Sequence, residues 1–185
     1  SQMVVRKVIG LLAEGVRDGA AARAASDALY TDKHGKVICT LNIVSLDLQS
    51  RTIVLTRNNP SPLYICQGEQ IDKLDIESVP LGVSRDVRPL ITELPIQPEL
   101  IVVIYTDGLV HAGERRGTPV NVGEILRATL EDQAPSPQTL ADTLLAQAVR
   151  LDDNRPADDV SVVVLKVAPN EGDAVRRMTV SLPVP

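Results

Sequence analysis

Leu100-Ile101-Val102-Val103-Ile104-Tyr105 is almost continuously apolar and stops abruptly at Thr106-Asp107-Gly108. Further along, Pro156-Ala157-Asp158-Asp159 leads directly into a second apolar run, Val160 to Val167. Strands covered on both faces read this way, whereas a strand with one wet face alternates. Each run carries carboxylates at one end: Asp107 behind the first, Asp158 and Asp159 ahead of the second. If the two strands are antiparallel neighbours, the end of one lies beside the start of the other, and Asp107 and Asp158 project from the same edge of a sheet. Clustered carboxylates repel one another, and a shared divalent cation relieves that repulsion. All-oxygen ligation points to Mg²⁺ or Mn²⁺ rather than zinc. A plainer reading stands beside this one: Asp-Gly is a common turn, and an Asp ahead of a strand is often only a loop or cap residue.

Upstream of this pair, Val4, Val5, Val8, Ile9, Leu11, Leu12 and Val16 recur at helical spacing, with Ser1 as a candidate N-cap. Gly19 interrupts the pattern, and an alanine-rich second helix runs from Ala20 to Tyr30, closed by the turn Asp32-Lys33-His34-Gly35. Lys36 to Leu48 reads as a strand that returns over Arg51 to Arg57 as a hairpin. A second hairpin joins Leu63–Cys66 to Gln70–Leu74 around Gln67-Gly68-Glu69, and Leu90 to Leu94 reads as a further strand. Between the two acidic motifs lie two helices, Val122 to Leu130 and Pro137 to Leu151, the latter capped by Ser136. After Val167 come a polar loop and a strand-like run from Val175 to Leu182. Helices and strands gathered in blocks mean an α+β domain rather than alternating βαβ units.

The 185 residues suffice for one domain, expected over 1–167, with 168–185 as a C-terminal extension. A formal net charge of -5 and scattered basic residues argue against a nucleic-acid partner. No run approaches the roughly 18 apolar residues of a membrane span. No secretory signal opens the sequence, and a reducing cytoplasm suits its two cysteines, Cys39 and Cys66, read as buried thiols. With no Trp and no Phe, the core must be built from Val, Ile, Leu and Ala.

Several hydrolytic chemistries are excluded. A phosphate-loop cysteine needs an arginine where Cys39 is followed by Ser45 and Cys66 by Asp72. Gly82-Val83-Ser84 continues into Arg85-Asp86 and so forms no nucleophile elbow. Neither histidine has a second histidine at ligand spacing; His34 reads as an exposed turn residue, and His111 stands close enough to Asp107 to be a candidate neighbour of a site.

Ile104-Tyr105-Thr106-Asp107-Gly108-Leu109, a helical segment, and then Asp158-Asp159-Val160-Ser161 before an apolar strand resemble the tail of the bacterial protein phosphatase 2C-like domains. The resemblance is to the sporulation stage II E and sigma-factor-regulator type. Thr40 to Asp47 resembles that family's long central strand, and Pro80-Leu81-Gly82 its "PLG" turn. Arg57-Asn58-Asn59-Pro60-Ser61-Pro62-Leu63 falls where the family often carries Ala-Gly-His, with Asn59 in place of the histidine. The likeness covers about residues 1 to 167. The family's upstream acidic strand and its "Asp-Gly-x-Gly-x-Gly" turn have no counterpart, so the chain reads as a piece of that domain, as a sequence given without its upstream part, or as a protein lacking half the metal site.

The resemblance implies an αββα sandwich of two antiparallel sheets flanked by helix pairs. It implies hydrolysis of phosphoserine or phosphothreonine by water bound to two or more Mn²⁺ or Mg²⁺ ions, with Asp107 and Asp158 as metal ligands and catalytic groups, and Gly108 and Asp159 supporting them. The partner expected is a phosphorylated signalling protein such as an anti-sigma-factor antagonist. The alternative is a non-catalytic relative that binds a partner without turnover. With the first strands absent, unpaired sheet edges and a partly uncovered core are expected, and with them low stability or dimerisation through an edge.

Overall fold

The structure is a computed structural model and describes residues 2–132, 135–156 and 158–169. Ser1, Ala157 and the strand-like run 175–182 lie outside the described residues. The chain opens with two helices, α1 (Gln2–Ala13) and α2 (Asp18–Lys33). Six strands follow: β1 (Leu41–Asp47), β2 (Thr52–Asn58), β3 (Leu63–Gln67), β4 (Gln70–Leu74), β5 (Leu90–Pro95) and β6 (Ile101–Tyr105). Then come a single turn, α3 (Asp107–Val110), the longer helices α4 (Val122–Asp132) and α5 (Pro137–Leu151), and strand β7 (Val162–Lys166).

The strands form two antiparallel sheets, one ordered β1-β2-β5 and the other β4-β3-β6-β7. Side-chain alternation assigns each face. On β3, Leu63 and Ile65 meet Ile53 and Leu55 of β2 and Val102 of β6 between the sheets. Tyr64 and Cys66 point the other way, into a cluster with Leu126 of α4 and Leu140 and Leu144 of α5. The outer face of the three-stranded sheet packs Leu41 and Ile43 against Val4 and Val8 of α1 and Ala25 and Leu29 of α2. The layers are therefore helices, sheet, sheet, helices: the αββα sandwich expected. The core is aliphatic, as the composition requires, joined by the buried Tyr64 and Tyr105.

Both hairpins form. The first turns over four residues, with the Asp47 carboxylate accepting from the N–H groups of Gln49 and Ser50, an arrangement that lets a side chain stand in for turn backbone. The second turns tightly at Gly68-Glu69, with Gln67 opposite Gln70. Ser136 caps α5 as expected, its hydroxyl accepting from the Thr139 N–H at 3.0 Å.

Two boundaries differ from the sequence reading. Gly19 does not end a helix; it lies in the first turn of α2, and the break is at Gly15, whose φ of 81° is left-handed. A Cβ at Gly19 would come within 2.8 Å of Ile91 Cδ1, so this glycine serves close helix-to-sheet packing. The strand expected from Lys36 begins only at Leu41, since Val37 and Ile38 are exposed and Cys39 makes one isolated bridge, to Leu81. Cys39 is accordingly half-buried, while Cys66 is fully buried.

Candidate functional site

The two acidic motifs meet. β6 and β7 are antiparallel neighbours with Tyr105 opposite Val162, so the residues after β6 lie against those before β7. Thr106 extends the ladder: its N–H donates to Ser161 O at 3.0 Å, its hydroxyl donates to Asp159 O at 3.0 Å, and the same oxygen accepts from the Ser161 N–H at 2.9 Å. Gly108 completes the contact. A Cβ there would lie 2.5 Å from Asp159 O, so only glycine lets the two segments approach this closely. The structure thus brings Asp107, Gly108, Asp158 and Asp159 to one end of the four-stranded sheet.

Each of the two leading carboxylates is oriented by its own backbone. Asp107 Oδ1 accepts from the Gly108 N–H at 3.1 Å, and Asp158 Oδ1 accepts from the Asp159 N–H at 2.7 Å. Both keep a second oxygen for another partner. Asp107 is partly buried and Asp158 exposed. This donor set suits a hard divalent cation, which takes carboxylate oxygens and retains waters. Among the described residues no group of three His, Cys, Asp or Glu side chains stands together as a metal-ligand set, although Asp159 follows Asp158 directly.

His111 is not joined to the pair. It follows α3, is exposed, and places Nδ1 2.9 Å from Glu114 Oε1. His34 is exposed at the end of α2, in a left-handed conformation. Asn59 does more than fill a loop. It is 1 % exposed, donates from Nδ2 to Tyr105 O at 3.4 Å, and accepts from the Ser61 N–H at 2.9 Å. It thereby ties the β2–β3 connection to the last residue of β6. Thr106 and Asn59 are the positioning residues that spacing alone did not single out. The hydroxyl in Thr106-Asp107-Gly108 was the available signal, because a side-chain donor and acceptor at a strand end often replaces missing ladder bonds.

Behind the site the loop after β4 is held by β2. The buried Arg57 guanidinium donates to Leu74 O and Ile76 O, Ser78 Oγ donates to Arg57 O at 2.7 Å, and Asn58 Nδ2 donates to Val79 O at 2.9 Å.

Residues 2–168 match the family model for stage II sporulation protein E, SpoIIE. The chain belongs to the SpoIIE family. Stage II sporulation protein E of Priestia megaterium is 22% identical over 160 residues, which are 86% of this chain and 27% of that protein. The chain therefore spans about a quarter of the length of that SpoIIE relative. Among solved structures, the PP2C phosphatase domain with a fragment of the regulatory domain of SpoIIE from Bacillus subtilis superposes with a TM-score of 0.76 at 19% identity, covering 92% of this chain and 50% of that one. The catalytic domain of the serine/threonine phosphatase PstP in complex with two manganese ions gives a TM-score of 0.68 at 18% identity, covering 91% and 82%. The fold of this SpoIIE-family chain is that of PP2C-type phosphatase domains.

Proposed function

We propose that the chain acts as a metal-dependent protein phosphatase domain that hydrolyses phosphoserine or phosphothreonine on a signalling protein. The observation that carries this reading is the junction of Asp107-Gly108 with Asp158-Asp159, closed by the Thr106 hydroxyl and by a glycine that admits no side chain. Asp107 and Asp158 would hold Mn²⁺ or Mg²⁺. When bound, such a cation lowers the pKa of a water and neutralises charge on phosphoryl oxygens. The chain's own residues do the rest of what is proposed. Gly108 N–H and Asp159 N–H each fix one oxygen of a carboxylate, which leaves the other for a second partner. Thr106 holds the two backbones in register, and Asn59 anchors the end of β6 from the opposite side. The manganese complex of PstP supports the choice of cation. A phosphorylated anti-sigma-factor antagonist is the kind of substrate proposed.

The second reading, a phosphatase-like domain that binds a partner without turnover, is favoured by one observation: among the described residues no three His, Cys, Asp or Glu side chains gather into a metal-ligand group. Phosphate release from a phosphoserine peptide separates the two. The expected result is Mn²⁺-dependent release, reversed by chelator, from the chain or from a longer protein that carries it. Asp107→Asn is expected to lower it by about a hundredfold or more, since loss of even an outer partner of a metal ligand costs about 10–100-fold. No release from either protein with Mn²⁺ or Mg²⁺ would sink the enzyme reading and leave the binding domain.

A further inference from the structure

On the helix-covered face of the four-stranded sheet, a cavity of about 300 Å³ opens between β3, β4, β6 and the segment leading into α4. Prolines and valines make its apolar walls; its polar lining comes from Tyr64, Tyr105, Lys73 and Asn121. Tyr64 and Lys73 are cross-strand partners in the β3–β4 ladder, so their side chains stand on the same face. The Tyr64 and Tyr105 rings lie 6.5 Å apart, tilted by 34°.

The polar groups share one character. Tyr105 is 5% exposed as a residue; it lines the cavity, and its hydroxyl has no hydrogen-bond partner among the described residues, which leaves its proton for a bound group. The Tyr64 hydroxyl also lines the cavity and can donate. Asn121 accepts from the Glu124 N–H at 3.2 Å through Oδ1, so its NH₂ remains. Lys73 gives a hydrogen to Asp75 at 3.2 Å and has others to offer. No carboxylate lines the cavity. Each of the four polar side chains there can donate a hydrogen bond, and the walls are apolar or aromatic.

We infer that this cavity binds a small free organic anion with a planar apolar body, of the aryl carboxylate class, its carboxylate meeting Lys73, Asn121 and the tyrosine hydroxyls. Size agrees: a cavity of about 150 Å³ takes a benzene molecule, and this one is about twice as large, at the lower end of small-molecule pockets. Neither Asp107 nor Asp158 lines it, so the inference does not rest on the phosphatase reading.

The chain has three tyrosines, and the third, Tyr30, lies on α2 beneath Arg85. Tyrosine-ring ¹³C NMR of the whole chain therefore carries its own internal control. With benzoate as the probe, the Tyr64 and Tyr105 signals are expected to shift saturably while Tyr30 stays fixed. Benzamide, the neutral isostere, should bind about tenfold more weakly or worse. Lys73→Met should weaken benzoate by a similar factor and leave benzamide unchanged, and Asp75→Asn, which releases the Lys73 ammonium, should tighten benzoate. Ligand-free tyrosine spectra that overlay the parent's certify that each variant is folded. Absence of a saturable shift, equal binding of benzoate and benzamide, or shifts of all three tyrosines together would overturn the inference.

Discussion

The Thr106 hydroxyl works at both ends, donating to Asp159 O and accepting from the Ser161 N–H. Thr106→Val keeps the shape and removes both bonds. It is expected to cost about 1 kcal/mol, read as a lower urea midpoint at unchanged slope, and Thr106→Ser should recover most of the loss. Cys66 gives a second test at this scale. Burial pushes its thiol up from the ordinary value of 9.0 to about 11. Above pH 9 the unfolded chain has lost this proton and the folded chain has kept it, so stability falls with rising pH and levels off beyond about pH 11. Urea midpoints between pH 8 and 11 should show the decline, reduced in Cys66→Val. Alkylation near pH 8 should take the half-buried Cys39 well before Cys66.

Among the elements, Gly108 sets the distance between the two acidic segments. Gly108→Ala places a Cβ 2.5 Å from Asp159 O and 3.0 Å from its carbonyl carbon, and backbone cannot swing aside as a side-chain tip would. The expected cost is about 1–3 kcal/mol, with the start of β7 displaced; faster amide exchange at Ser161 and Val162 would show it. The sequence was most readable where an element explains itself locally. The β1–β2 and β3–β4 hairpins carry their own turn chemistry, and α5 carries Ser136 and Pro137 at its start. It misled where a residue answers to a distant one. Gly19 looked like a helix breaker because its reason, Ile91, lies far along the chain. Val37 and Ile38 have strand propensity and no strand to pair with, and propensity without a partner does not make a strand.

For the molecule as a whole, the α+β class was legible in the grouping of helices and strands, the αββα layering through the family resemblance, and the meeting of the two acidic segments in two apolar strands with carboxylates at matching ends, although β7 proves open on one face at Val163. The donor-lined cavity was not, since Tyr64, Lys73, Tyr105 and Asn121 come from four places and their types alone name no site. Nor was the pairing of β2 with β5 or β3 with β6, which local pattern does not encode. Among the described residues β1 and β7 each pair on one side only. Val163 of β7 is 56% exposed although it alternates with Val162 and Val164, which pack beneath the helices. It therefore belongs to the face turned toward the three-stranded sheet, beyond that sheet's cover. An open edge beside uncovered apolar surface recruits another strand. We expect the chain to self-associate with rising concentration in sedimentation equilibrium, and Val163→Lys to weaken the association by about tenfold. A monodisperse monomer of high melting temperature would contradict this.

The β6–β7 ladder also sets a schedule for synthesis. Asp107 leaves the ribosome with β6, but the partner backbone that Thr106 fastens to follows only after α4 and α5 have been made. A nascent chain arrested at Leu151 would hold a complete first motif with nothing to close it against. A premature stop or a proteolytic cut in the stretch between α5 and β7 would leave a product that keeps Asp107 and the cavity-lining residues and has no second carboxylate at all. The two halves of the candidate centre thus act as a completeness check: they meet only in a chain translated through β7.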